Sequence, residues 1–273
     1  MAIQNMTVVL DDSVQSENRL TCAISLAREH RAFLTGLCAT SMFRTVKAEP
    51  ERGAFAETGT NAAEIGEQLA AMFRDRIRFG RVQGEWRIAS DPLTDSAVRH
   101  ARLSDLFVLG QIDPGHPPPA GRHLLEDVLL TSGRPILVVP YAGQYNTVGT
   151  NVLVAWKDSR EAVRAMHDAL PCLVKAASVT LLHAFTAGRK GPDESVTAGI
   201  ARYLSRHGVD ARVARFPMAG ISVPDAMLSY AADIGADLLV AGGYGHSRLR
   251  EFALGGVTRG LLQQMTVPVL MSH

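Results

Sequence analysis

Short apolar runs alternate with helix-period stretches along the whole chain, and the alternation is written twice. "MTVVLDDS" (6–13) and "NVLVAWKDS" (151–159) each read as a strand that ends in a turn closing on a serine. The stretches that follow, "SENRLTCAISLAREH" and "SREAVRAMHDALPCLVKA", carry apolar residues at helical spacing. Apolar runs return at "AFLTGLCAT" (32–40) and "SVTLLHAFT" (178–186). Further on the match becomes positional: "DPLTDSAVRHARLSDLFVLG" (91–110) lies over "VPDAMLSYAADIGADLLVAG" (223–242), with Pro92 on Pro224, Asp105 on Asp237 and Gly110 on Gly242. Proline is tolerated in a first helical turn, where its missing N–H has no partner to lose. Each half closes on a Pro-led apolar strand, "RPILVVP" (134–140) or "VPVLMSH" (267–273).

The strand segments are continuous apolar runs, as in a parallel sheet covered by helices on both faces. The fold expected is therefore α/β: two tandem doubly wound, Rossmann-like domains, each with a five-stranded parallel sheet. The boundaries read as 1–140 and 151–273, joined by a polar linker at 141–150. A segment at 43–60 reads as a long loop inside the first half, either functional or mobile.

Composition narrows the function classes. The 273 residues are 47% hydrophobic and 20% charged, with a formal net charge of +1, so no strong field draws nucleic acid or an anionic membrane. No apolar stretch nears the ~20 residues that span a bilayer. "MAIQNMTVVLDDS" has neither a basic n-region nor a cleavable apolar segment, and a cytoplasmic location is expected. Cys22, Cys38 and Cys172 form no CxxC pair and read as buried free thiols. None of the nine histidines falls in an HExxH-type pair, so no metal site is assigned. His167 and His183 read as a helix residue and a strand-end residue. No nucleophile elbow or Ser-His-Asp order is present, and no residue is assigned as catalytic. Ser13 and Ser159 read as helix caps, and Asp11 and Asp12 as a solvated turn rather than a metal site or a base.

The remaining chemistry gathers in "GGYGHSRLREFALGGVT" (242–258). Its glycines stand at the carboxyl end of one strand and the start of a helix, where open α/β sheets bind ligands and free N–H groups attract anions. The segment is neither a Walker A loop nor GxGxxG. By spacing alone it is a phosphate cradle or a pair of structural turns. His246 reads as a phosphate donor or a solvated loop side chain, and Arg248 as a phosphate contact or a solvated charge.

The spacing Gly242-x2-Gly245-x9-Gly255, its "PVL" strand, the strand leading into Asp-x-Ser, and "LLH" at 181–183 together resemble the universal stress protein family. The resemblance covers both halves. It implies a stress-response protein that binds ATP, with Mg²⁺, in its second half without fast catalysis, serving as a regulatory or assembly switch. Slow hydrolysis or self-phosphorylation has family precedent only. The alternative is a scaffold or interaction protein without nucleotide. Carried across by position, Gly242, Gly245, Gly255, Gly256 and Val257 would hold phosphates and ribose, while Lys157 and Ala184 would lie near the nucleoside. Lys157 stands where the family has an acid, and Gly256 where it has Ser or Thr. Trp156 would narrow the adenine pocket or stack on a ring. In the first half Asp113 replaces the second glycine and Arg122-His123 the Gly-Ser pair, so no nucleotide is expected there. The resemblance also implies that the halves associate through strands 135–140 and 268–273. A protein partner is implied without being identified, and exposed edge strands leave a homodimer open.

Overall fold

Apolar runs capped by turns become buried parallel strands, and the amphipathic stretches between them become the covering helices. The computed structural model describes residues 2–39, 62–115, 123–186, 194–218, 220–244 and 256–273. The segment expected as a long loop, 43–60, lies outside them. The first half runs β1 (Asn5–Val9), α1 (Gln15–His30), β2 (Phe33–Ala39), α2 (Ala62–Gly80) and β3 (Gly84–Ala89). It continues with α3 (Leu93–Arg102), β4 (Leu106–Gly110), α4 (Leu124–Thr131) and β5 (Ile136–Val139). The second half repeats the order with β6 (Asn151–Ala155), α5 (Arg160–Leu173), β7 (Ser178–Thr186), α6 (Glu194–Arg206) and β8 (Ala211–Met218). It closes with α7 (Val223–Asp233), β9 (Leu238–Gly242), α8 (Gly256–Gln264) and β10 (Val269–Ser272). Among the described residues, no helix is long and apolar enough to cross a membrane.

The strands form one sheet in the order β3-β2-β1-β4-β5-β10-β9-β6-β7-β8. Pairing is parallel within each half, and β5 meets β10 antiparallel, with Val138 opposite Val269 and Ile136 opposite Met271. The last strands thus join the halves, and the carboxyl ends of the two strand sets point in opposite directions. Strand order reverses between β1 and β4 in one half and between β6 and β9 in the other, which creates one crevice per half. Apolar clusters on both sheet faces run through the junction: Leu20 and Leu170 share one, Phe107 and Leu239 the other.

Local chemistry explains the register. Asp105 accepts from the N–H groups of Gln4 and Asn5, and Asp237 from those of Gly149, Thr150 and Asn151. Each aspartate thereby ties the strand that follows it to the first strand of its own half. Pro224 sits in the first turn of α7, whereas Pro92 precedes α3 as its N-cap residue. Ser159 caps α5, its hydroxyl accepting from Ala162 N–H at 3.3 Å. Ser13 does not cap α1. The N-cap residue is Val14, and the Ser13 hydroxyl donates to Asp11 instead. Between β5 and β6, Tyr145 donates its hydroxyl to the carbonyls of Ala142 and Thr266, and its N–H to Asn18 Oδ1.

Candidate functional site

At the second-half reversal point the strand ends enclose a cavity of about 360 Å³. Ala155, Trp156 and Lys157 reach it from the end of β6, and Leu182, His183 and Ala184 from β7. Ala241 and Gly242 come from β9, Met271 from β10, and Val257, Thr258 and Leu261 from α8. Val223 and Met227 of α7 and Ser159, Glu161 and Ala162 of the α5 start complete the wall. The volume lies within the ~300–1,000 Å³ usual for small-molecule sites, and the lining has their usual character, mostly apolar with a few polar groups.

The polar groups differ in how they are engaged. The Glu161 carboxylate is buried and accepts from Arg160 Nε at 2.6 Å. Thr258 Oγ1 accepts from Tyr244 N–H at 3.1 Å, tying the start of α8 to the end of β9. Burial and the Arg215 cation lower the pKa of His183 against the pull of Asp158, which leaves the imidazole neutral at pH 7. Trp156 is 7% exposed and belongs to the core. Its Nε1 and His183 Nδ1 are buried without a hydrogen-bond partner among the described residues.

The glycines have separate causes. A Cβ at Gly242 would stand 2.6 Å from Ala162 N and Glu161 C, so the close approach of α5 demands glycine there. At Gly243 it would meet Leu129 Cδ2, on α4 of the other half, at 2.7 Å. At Gly256, the first residue of α8, an added Cβ meets nothing within 4 Å. Among the described residues, none therefore imposes glycine at Gly256.

The first half is built differently at the matching place. Asp11 is not the solvated turn residue expected. It pairs with Arg19 at 3.3 Å and accepts from Ser16 Oγ at 2.8 Å, with side chains only 20% and 7% exposed. Burial opposes its charge, yet Arg19 and the serine hydrogen bonds outweigh it and hold the pKa down to about 2. Arg19 Nη1 also donates to Val9 O at 2.6 Å. The guanidinium lies against Gly110, where an added Cβ would stand 2.7 Å from Arg19 Cζ. An internal ion pair therefore occupies the strand ends of this half. Asp113 is turned to its own surroundings, accepting from Gly115 N–H at 2.8 Å and from Gln15 Nε2 at 3.4 Å.

Of the residues singled out from the sequence, Gly242, Val257, Ala184, Trp156 and Lys157 share this cavity. Gly256 stands at the start of α8 without being part of the lining. Gly245, Gly255, His246 and Arg248 lie outside the described residues. Sequence reasoning missed Glu161, Thr258, Val223 and Met227. The cap at Ser159 could have pointed to Glu161 in the first turn of α5, but nothing local marks the α7 residues.

The comparisons with known proteins agree with this architecture. Residues 150–273 match the sequence model of the universal stress protein family. A universal stress protein of Synechocystis sp. is 28% identical over 149 residues, covering 54% of this chain and 49% of that protein. The match spans about half the length of that curated relative. Among solved structures, a universal stress protein from Archaeoglobus fulgidus aligns with a TM-score of 0.75 and 15% identity, over 98% of this chain and 97% of that one. A functionally unknown protein from Pseudomonas aeruginosa gives 0.63 and 13%, over 99% and 92%. At these identities the likeness is one of fold, and it extends through both halves. Residues 150–273 thus match the universal stress protein family, and the likeness in fold extends through both halves.

Proposed function

We propose that the second half binds an adenine nucleotide in this cavity without fast turnover, and that occupancy acts as a regulatory or assembly switch in a stress response. The supporting observation is the cavity itself, about 360 Å³ at the reversal point of a family-matching half. Its apolar wall suits an aromatic base. The first N–H groups of α8, which starts at Gly256, suit phosphates. ATP with Mg²⁺ is the ligand that the family resemblance implies, and it serves here as a bound signal. The chain's own residues hold and orient it, and no bond-breaking step is assigned.

The same wall supports the switch. Met271 lines the cavity and also faces Ile136 across the β5–β10 junction. Gly243, the residue after lining residue Gly242, lies against Leu129 of the first half. A ligand pressing on this wall would bear directly on the contact between halves. The scaffold alternative calls for a blocked cavity, and Trp156 lies in the wall with the volume still open. Calorimetric titration of ATP, with and without Mg²⁺, tests the reading beside a Gly245→Asp variant that copies the first-half residue Asp113. Micromolar binding lost in the variant is expected. Absence of heat with the unchanged chain at millimolar ATP contradicts the proposal.

A further inference from the structure

Several polar groups lining the second-half cavity are engaged within the protein. The Ser159 hydroxyl accepts from Ala162 N–H, Glu161 accepts from Arg160, and Thr258 accepts from Tyr244 N–H. His183 is uncharged at pH 7, with Arg215 and Asp158 as its charged neighbours. Trp156 Nε1 and His183 Nδ1 are buried without a hydrogen-bond partner among the described residues, but neither carries a charge at pH 7. Lys157 is the charged group of the lining that is left unmatched. It lines the cavity, is exposed, and has no hydrogen bond or ion pair among the described residues. It stands on the turn after β6, the strand between β7 and β9 in the sheet, and so in the middle of the row of strand ends rather than at the outer rim.

An ammonium in this setting has one strong chemical use. Apolar walls of low dielectric focus its field into the cavity, and lysine binds phosphate as a flexible point charge. The buried carboxylate of Glu161 is already matched by Arg160, and Asp158 stands beside Lys157 but outside the lining, so the unmatched charge within the lining itself is the ammonium. Resting on the nucleotide reading, we propose that Lys157 is the specificity-determining residue of this cavity: its ammonium selects anionic nucleotides, down to the monophosphate, over neutral nucleosides. A single phosphate then suffices for recognition.

The test is calorimetric titration of adenosine, AMP and ATP into the full chain and into Lys157→Met and Lys157→Arg variants. An exposed side chain keeps its fold when substituted, and a melting curve verifies this. The unchanged chain should bind AMP at least about tenfold tighter than adenosine, the size expected of one charge-assisted contact. Lys157→Met should bring the AMP-to-adenosine ratio near one, and Lys157→Arg should retain most of the preference. Raising salt should weaken AMP binding in the unchanged chain and much less in Lys157→Met. If adenosine and AMP both bind and the Met variant keeps the full preference, the role of Lys157 is overturned while the cavity reading stands. If none of the three ligands binds the unchanged chain, the nucleotide reading and this inference fall together.

Discussion

Replacing Arg19 with Met tests whether an internal ion pair holds the first-half strand ends. The substitution keeps an apolar stem of similar length and removes the guanidinium, leaving a mostly buried Asp11 carboxylate without its cation. The Asp11 pKa, about 2 against an ordinary 3.8, corresponds to about 2 kcal/mol of folding free energy at neutral pH. Loss of the Arg19 hydrogen bond to Val9 O adds about 1 kcal/mol. The sum, about 3 kcal/mol, sits at the lower end of what breaking a buried pair costs. Urea unfolding at pH 7 should show the midpoint falling with an unchanged slope. The double variant Asp11→Asn/Arg19→Met should recover most of the loss, because no uncompensated charge remains. The acid limb carries the same signature. The Asp11 pKa is lower folded than unfolded, so its contribution is complete above about pH 4 and is lost as pH falls towards 2. A single variant within about 1 kcal/mol of the unchanged chain, or additive effects in the double variant, would refute the reasoning.

Other positions give independent outcomes. Gly242→Val forces a side chain into the backbone of α5 and should destabilise by about 1–3 kcal/mol, seen as a melting point several degrees lower. Ser159→Ala removes the α5 cap and should cost about 1 kcal/mol in the same assay. Burial and the Lys175 cation pull the His30 pKa down to about 4. The unfolded chain therefore takes up this proton near pH 6.5 and the folded chain only near 4, so stability drops as pH falls through that window. His30→Gln should flatten this part of the pH profile. Burial pushes the thiols of Cys22, Cys38 and Cys172 up to about 12. A thiol reagent at pH 8 should therefore label the native chain only slowly, and one fast-reacting cysteine would contradict the packing described.

What the sequence made legible was what repeats or lies close along the chain. The positional match of Pro92 with Pro224 and Asp105 with Asp237 placed β4 and β9, because one aspartate performs one local task twice. The closing strands were recognisable as apolar runs after proline, and their pairing followed from the family resemblance. What stayed hidden depends on contacts between distant segments. Arg19 is a cation on the buried face of α1, a place where helical periodicity predicts an apolar residue, and only the fold brings it to Asp11 and Gly110. The Ser13 hydroxyl looked like a cap, yet Val14 already has helical backbone angles, and the hydroxyl turns to Asp11. By spacing alone the glycines of 242–258 read as a phosphate cradle or structural turns, and it is contact with α5 and with the Leu129 side chain of the opposite half that gives Gly242 and Gly243 a steric cause. Val223 and Met227 close the cavity from a helix some 65 residues beyond Lys157 in the chain, and no local pattern announces that role.

The central claim is that a nucleotide sits in the second-half cavity and not at the strand ends of the first half. Amide chemical-shift mapping of the isotopically labelled full chain during ATP addition tests both parts at once. The account predicts saturable shifts at Lys157, Ala184, Gly242, Val257 and Thr258, with Asp11, Arg19 and Gly110 unmoved. Shifts centred on the first-half strand ends, or none anywhere at millimolar ATP, would contradict it.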